Sequence, residues 1–312
     1  MNSFYLAFSV VCPLFLMMAL GYLLRKLGFF NERLLNELNS LCFKVFLPIL
    51  LFINVYQSDA VDVFQPQLVL FAVVSVVASY LIVFVSVPFL EKENNKRGVL
   101  IQGIFRSNFI LFGITMTISL YGSDYVGTTA VLIAFVIPIF NILSVIALEV
   151  FSAGHINHKK IWIGILTNPL ILASVIAFFF VLTGIRLPVI IETTTADIAK
   201  VATPLAFIIL GGSFKFSRIM NNIKPILIGV SGRLIVIPVV FLSLAIFLGF
   251  RNEELGALLA LLASPTAVSS FVMAQQMEGD GELAGQLVVI SSFASIVTIF
   301  IWIAVLKQGN FL

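Results

Sequence analysis

The chain has 312 residues, 60% of them hydrophobic and 11% charged, and its mean hydropathy is +1.13. A soluble domain of this length is close to half apolar and a quarter charged, so the composition selects an integral membrane protein. The net charge of +3 is small and scattered; it offers no nucleic-acid surface and leaves the lipid bilayer as the partner the chain must satisfy.

Ten apolar stretches follow in order, at roughly 4–24, 36–56, 67–90, 98–121, 127–150, 161–183, 192–213, 223–249, 254–277 and 283–306. Each is near the ~20 residues that a helix needs to cross hydrocarbon. A membrane barrel would alternate in short segments, so strands are excluded and an all-α fold is expected. The first 24 residues lack a basic n-region, and Arg25 and Lys26 follow the apolar stretch; they read as a retained span, not a signal peptide. Spans two and seven begin on polar residues: Asn36, Glu37 and Asn39 in one, Glu192, Thr193 to Thr195 and Asp197 in the other.

With the N-terminus outside, the inner loops carry Arg25, Lys26, Arg33, Lys92, Lys96, Arg97, Lys159, Lys160, Lys215, Arg218 and Lys224. The outer loops and C-terminus carry only Arg186, Lys200, Arg251 and Lys307. The bias predicts both termini outside a cell (inner) membrane. Cys12 and Cys42 lie in or beside apolar runs and predict no disulfide. His155 and His158 share a short loop with Lys159 and Lys160, with no nearby ligand to complete a metal site. No metal or cofactor is expected; a coupling Na+ or H+ stays open.

The chain repeats itself at half its length. A shift of 156 residues lays Pro13-Leu14 on Pro169-Leu170, Gly28 on Gly184, and Lys44…Pro48 on Lys200…Pro204. One further residue lays Asn108 on Pro265 and Gly122 on Gly279. Five spans per half force the second half to run inverted. The prediction is ten transmembrane helices in two inverted five-helix repeats, 1–155 and 156–312, the architecture of secondary carriers.

The chemistry is expected in spans four and nine. One carries Arg106, Ser107 and Asn108 mid-span, the other Ser264, Pro265, Thr266 and Ala267. Such breaks are tolerated in lipid only where the freed backbone is buried in protein or lines a polar cavity. Singly they read as kinks or packing; at matched positions they predict two broken helices that cross, with positive N-terminal ends aimed at a binding site. Arg106 suits a carboxylate, or snorkels or pairs with carbonyls. Arg233 either belongs to the pathway or snorkels, and Lys44 either belongs to it or lies near the interface; the depth of both stays open. Pro48 and Pro204 interrupt spans two and seven at equivalent depth, and Gly211-Gly212 permit close helix approach. They frame the crossing, act as hinges, or simply pack. Glu149 is the one acid well inside an apolar stretch; with Ser264 it is the candidate for coupling.

These residues resemble the auxin efflux carrier family over essentially the whole chain. The resemblance is carried by Arg106-Ser-Asn108 to Gly113, ending in Leu120-Tyr-Gly122. It is also carried by Ala263-Ser-Pro265-Thr-Ala267 with Phe271-Val-Met-Ala274, by Glu282-Leu-Ala284, and by Pro48 with Leu50-Leu-Phe52. The short central joint, Phe151 to Lys160, is similar to the bacterial members. The resemblance implies a fold related to bile acid sodium symporters, with broken crossing helices 4 and 9. It implies an organic anion cargo such as malate, malonate or an auxin-like acid, moved by alternating access. Asn108 and Pro265 match the two crossings, and Arg106, Gly113 and Thr266 are grouped with them as substrate-binding. Many members carry a proline where this chain has Thr115, which predicts a less sharply broken first crossing.

The expectation is a carrier of a small organic anion. The alternatives are an anion channel and a proton- or sodium-coupled symporter of a non-carboxylate solute. A channel requires a continuous pore. No enzyme is expected: no His-Glu-x-x-His motif occurs, and Asp280 sits in a Gly-Asp-Gly turn. The class permits a homodimer, but no residue requires one.

Overall fold

The computed structural model describes residues 3–57, 65–152 and 158–312, with side chains left out at 3–7, 152 and 158–161. His155 and the expected boundary between residues 155 and 156 lie outside these residues, as do the side chains of His158, Lys159 and Lys160. The described residues are helical throughout, apart from turns and one isolated β-bridge.

The helices are α1 (Ser3–Lys26), α2 (Glu32–Leu41), α3 (Leu47–Tyr56), α4 (Pro66–Leu90), α5 (Asn94–Phe105), α6 (Phe109–Tyr121), α7 (Val126–Ser152) and α8 (His158–Thr167). They continue as α9 (Pro169–Thr183), α10 (Val189–Ser213), α11 (Ile223–Ser231), α12 (Ile237–Phe247), α13 (Asn252–Ala263), α14 (Val268–Gln276) and α15 (Gly281–Gln308). A π turn, Cys42–Phe46, joins α2 to α3, and another, Gly232–Val236, joins α11 to α12.

Seven helical runs among the described residues are long and apolar enough to cross a membrane: Phe8–Lys26, Glu32–Tyr56, Pro66–Leu90, Ser123–Phe151, Val189–Ser213, Phe216–Phe247 and Gly281–Gln308. The other three expected spans are each cut in two, as α5/α6, α8/α9 and α13/α14. A 12-residue helix such as α5 is ~18 Å long, too short to cross ~30 Å of hydrocarbon alone. The surface fits lipid: Phe89 and Phe247 are each 85% exposed and Leu182 81%, a load that water would not tolerate.

Local chemistry sets the ends. The Asn31 side chain caps α2 by accepting from Leu34 N at 2.8 Å. Asp280 caps α15 through Leu283 N at 2.9 Å, and Asn168 caps α9 through Leu170 N at 2.9 Å, with Pro169 at the first helical position. Each side chain satisfies an N–H that the first turn leaves orphaned. The π turns answer a proline two residues ahead. Leu47 N donates five residues back to Cys42 O before Pro48, and Ile237 N does the same to Gly232 O before Pro238. Pro204 is absorbed inside α10 without interruption.

α1 packs along α10, and α3 along α9. The first contact depends on glycine: a Cβ on Gly211 would collide with the Met18 carbonyl, and one on Gly21 with the Ile208 carbonyl. Backbones this close gain dispersion that larger residues would forfeit. Arg25 at the end of α1 donates to Gly212 O at 2.7 Å, a cation on a negative helix end. Cys12 and Cys42 are free thiols.

Around the breaks, α5 packs on α7 and α4, α13 on α6 and α12, and α14 on α15. Tyr121, closing α6, donates its hydroxyl to Asn252 O at the start of α13 at 2.8 Å. At the opposite end, Asp280 N donates to Asn95 O at 3.1 Å, tying the α14–α15 turn to the start of α5. So α6 and α13 share one half of the bundle, α5 and α14 the other.

Candidate functional site

Both breaks unwind where the chains cross. Three residues, Arg106 to Asn108, separate α5 from α6; four, Ser264 to Ala267, separate α13 from α14. The first break is therefore as complete as the second. Thr115, inside α6, turns its hydroxyl onto Leu111 O at 2.5 Å and leaves the helix unbroken. Ser107 and Thr266 form an antiparallel bridge. Asn108 N donates to Pro265 O at 2.7 Å and Ala267 N to Arg106 O at 3.4 Å.

A helix ending in mid-bilayer leaves carbonyls that must find donors. The last bond within α5 is Arg106 N to Gln102 O at 3.1 Å. Beyond it, Gly103 O accepts from the Thr266 hydroxyl at 2.8 Å. Ile104 O and Phe105 O accept from one Arg233 terminal nitrogen at 3.1 and 3.0 Å. On α13, Ala260 O accepts from the Ser264 hydroxyl. Leu261 O accepts from the other Arg233 nitrogen at 3.2 Å, and Leu262 O from the same nitrogen. The cost of both breaks is met almost wholly within the crossing.

The opposite ends of the breaks, the N-termini of α6 and α14, face a small cavity of about 60 Å³. Residues 106 to 111 and Ala267, Val268 and Ser269 line it, with Leu47, Leu50 and Leu51 of α3, Ile137 and Phe140 of α7, Leu170 of α9 and Thr203 of α10. Two positive helix ends converge there. The buried Asn108 Nδ2 and Ser107 Oγ have no hydrogen-bond partner, an arrangement that normally costs about 1–3 kcal/mol per group. Arg106, 4% exposed, donates to Asn141 Oδ1 at 2.8 Å and Ser144 Oγ at 3.4 Å, both on α7, and contacts the Met273 sulfur. Among the described residues, Arg106 and Arg233 are the only charged side chains that are buried.

The other candidates fall into place around this core. Thr266 and Pro265 do not line the cavity; Thr266 also donates its N–H to Ser291 Oγ at 3.1 Å and is a latch of the crossing. Gly113 packs against Phe109 and Thr129. Pro48 stands beside the lining residue Leu47, and Pro204 beside Thr203. Gly211 belongs to the α1–α10 contact. Glu149 lies against Gly164 of α8, ~8 Å along α7 from Ser144. Lys44 is exposed on its π turn.

Arg233 was hidden because sequence spacing assumes α winding; the π turn alters which way residue 233 faces. Asn141, Ser144 and Thr203 carry no signal beyond being small and polar in apolar runs, and Val268 and Ser269 none beyond following the break that ends at Ala267.

A second cavity of about 240 Å³ opens between α2, α10, α14 and α15, lined by Arg25, Glu32, Asn36, Lys215, Gln275 and Gln286, among others. Glu32 accepts from Lys215 at 3.3 Å and Arg25 at 3.4 Å. The Lys215 hydrogen bond and charge, with Arg25 beside it, hold the exposed Glu32 carboxyl below its ordinary value.

A transporter from Methanothermobacter thermautotrophicus, itself uncharacterized, is 22% identical over 303 residues, covering 96% of this chain and 98% of its own. The family model described as membrane transport protein matches residues 6–303. With broken helices crossing inside an apolar bundle and a match over nearly its whole length, the chain belongs to the membrane transport protein family of auxin efflux carrier type.

Proposed function

We propose that this transporter is a secondary carrier of a small organic anion, a mono- or dicarboxylate, working by alternating access around the crossing. The observation that carries the reading is the sign of the buried charge. Two arginines and no acid are buried among the described residues, and one of them lines a cavity with two helix N-termini and an unpartnered amide donor. Such a set offers donors and positive potential to a carboxylate and repels a cation. Arg106, Asn108 and the N–H groups opening α6 and α14 hold the anion; Thr266 and Pro265 fix the crossing. The small volume favours malonate- or malate-sized acids over an indole acid. The larger polar cavity is the vestibule on the side of the basic loops.

The reading includes ten spans in two inverted repeats, 1–155 and 156–312, both termini outside the cell membrane. Two features support the inversion. The packing reciprocates: α1 lies on α10 as α9 lies on α3, spans one with seven and six with two. Asn108 also bonds its repeat mate Pro265, as a local two-fold axis through the crossing requires.

The test is charge movement. The purified protein is placed in liposomes, and malate, malonate and indole-acetate are applied in turn with and without sodium. A saturable transient current carrying negative charge with malate or malonate is expected. Silence across the panel from folded protein overturns the carboxylate reading, and a non-saturating conductance favours a channel.

A further inference from the structure

We infer that Arg233 is a tethered cation: its guanidinium occupies the carbonyl cluster where α5 and α13 end, so the crossing takes no free sodium ion there. Half-helix C-termini inside membranes are natural cation sites, because unwound carbonyls and the negative dipole end converge on one place. Here four such carbonyls, Ile104, Phe105, Leu261 and Leu262, come from two helices that approach from opposite sides. Each helix end carries roughly half a negative charge, so the two ends together balance one guanidinium. The fork geometry matches: one terminal nitrogen serves the α5 pair and the other the α13 pair. The side chain is 1% exposed, and its recorded partners are these carbonyls alone, with no carboxylate among them.

The cation therefore arrives with the protein and stays in every conformation. Arg233 is a positioning residue that fixes the two half-helices to each other and makes turnover indifferent to sodium. This goes beyond the anion reading and holds whatever anion is carried, because it concerns the side of the crossing away from the cavity.

The test needs no transport substrate. Melting of the detergent-purified full chain is measured in sodium chloride and in choline chloride at equal ionic strength, alongside equilibrium binding of radioactive sodium. Wild type is expected to melt identically in both salts and to bind no sodium saturably; a saturable, sodium-specific rise overturns the inference. Arg233→Lys and Arg233→Met separate charge from packing. Loss of the buried cation in Arg233→Met is expected to lower Tm by roughly 10 °C or to prevent folding. Arg233→Lys, which keeps one charge and three donors, is expected to lose less than half as much. A Met variant as stable as the Lys variant means that packing alone holds the site, and overturns the inference.

Discussion

Thr266→Val tests the carbonyl accounting at its most local point. Valine matches threonine in shape, so no cavity opens, and residue 266 is 2% exposed. What disappears is the 2.8 Å bond to Gly103 O. That carbonyl is the first beyond the last bond within α5, and Arg233 serves its two successors instead. An orphaned buried carbonyl costs about 1–3 kcal/mol, which lowers Tm by roughly 2–10 °C in a chain of this size. Thr266→Ser keeps the hydroxyl and most of the stability. Ser174→Ala is the control. Its buried hydroxyl donates to Leu170 O at 2.9 Å, but that carbonyl sits inside α9 and keeps its helical partner, so the change is near zero. The assay is thermal unfolding in one detergent at one scan rate. Thr266→Val within about 1 °C of wild type, or Ser174→Ala equally costly, would refute the reasoning.

Three further outcomes are expected. Arg106→Ala removes the charge at the cavity and abolishes anion-driven current while folded protein is still recovered; a normal current in liposomes removes Arg106 from the site. Asn108→Leu deletes an unpartnered buried amide, so Tm stays level or rises while transport is lost, read by pairing melting with flux on one preparation. Glu32 has a depressed folded pKa, so its contribution to stability is present at neutral pH and disappears as pH falls through that value. The Tm gap between wild type and Glu32→Gln therefore closes on acidification and shrinks in high salt, and a gap that widens in acid contradicts this.

Much of the fold was legible because hydrocarbon imposes a simple rule on length and polarity. The continuous runs are found where apolar residues persist, and polar residues in mid-span betray the breaks at 106–108 and 264–267. The cut between α8 and α9 was not read, although Asn168-Pro169 is an N-cap followed by proline. The site was legible only in part. Sequence places Arg106, Asn108, Pro265 and Thr266 together, but the register of the bridge decides that Thr266 faces Gly103 while Ala267 to Ser269 face the cavity. The depth and partners of Arg233 stay open in sequence, because its carbonyl partners lie on other helices and the direction of a side chain on a π turn does not follow from α spacing. Gly211 showed its close approach in sequence but not its partner, Met18, which lies far away along the chain.

The π turn at Gly232–Val236 has a consequence for how such chains can diverge. It holds one residue more than an α-helix needs. Deleting one residue there would restore α winding and leave the two flanks facing nearly as before, because the wide turn absorbs its extra residue locally. The residues inside the turn would be redirected, carrying the guanidinium off its carbonyls without altering the arginine itself. Insertions and deletions in this turn are thus as damaging as substitutions at the site. A relative lacking the extra residue has to neutralise its half-helix ends with a cation from another helix or from solution.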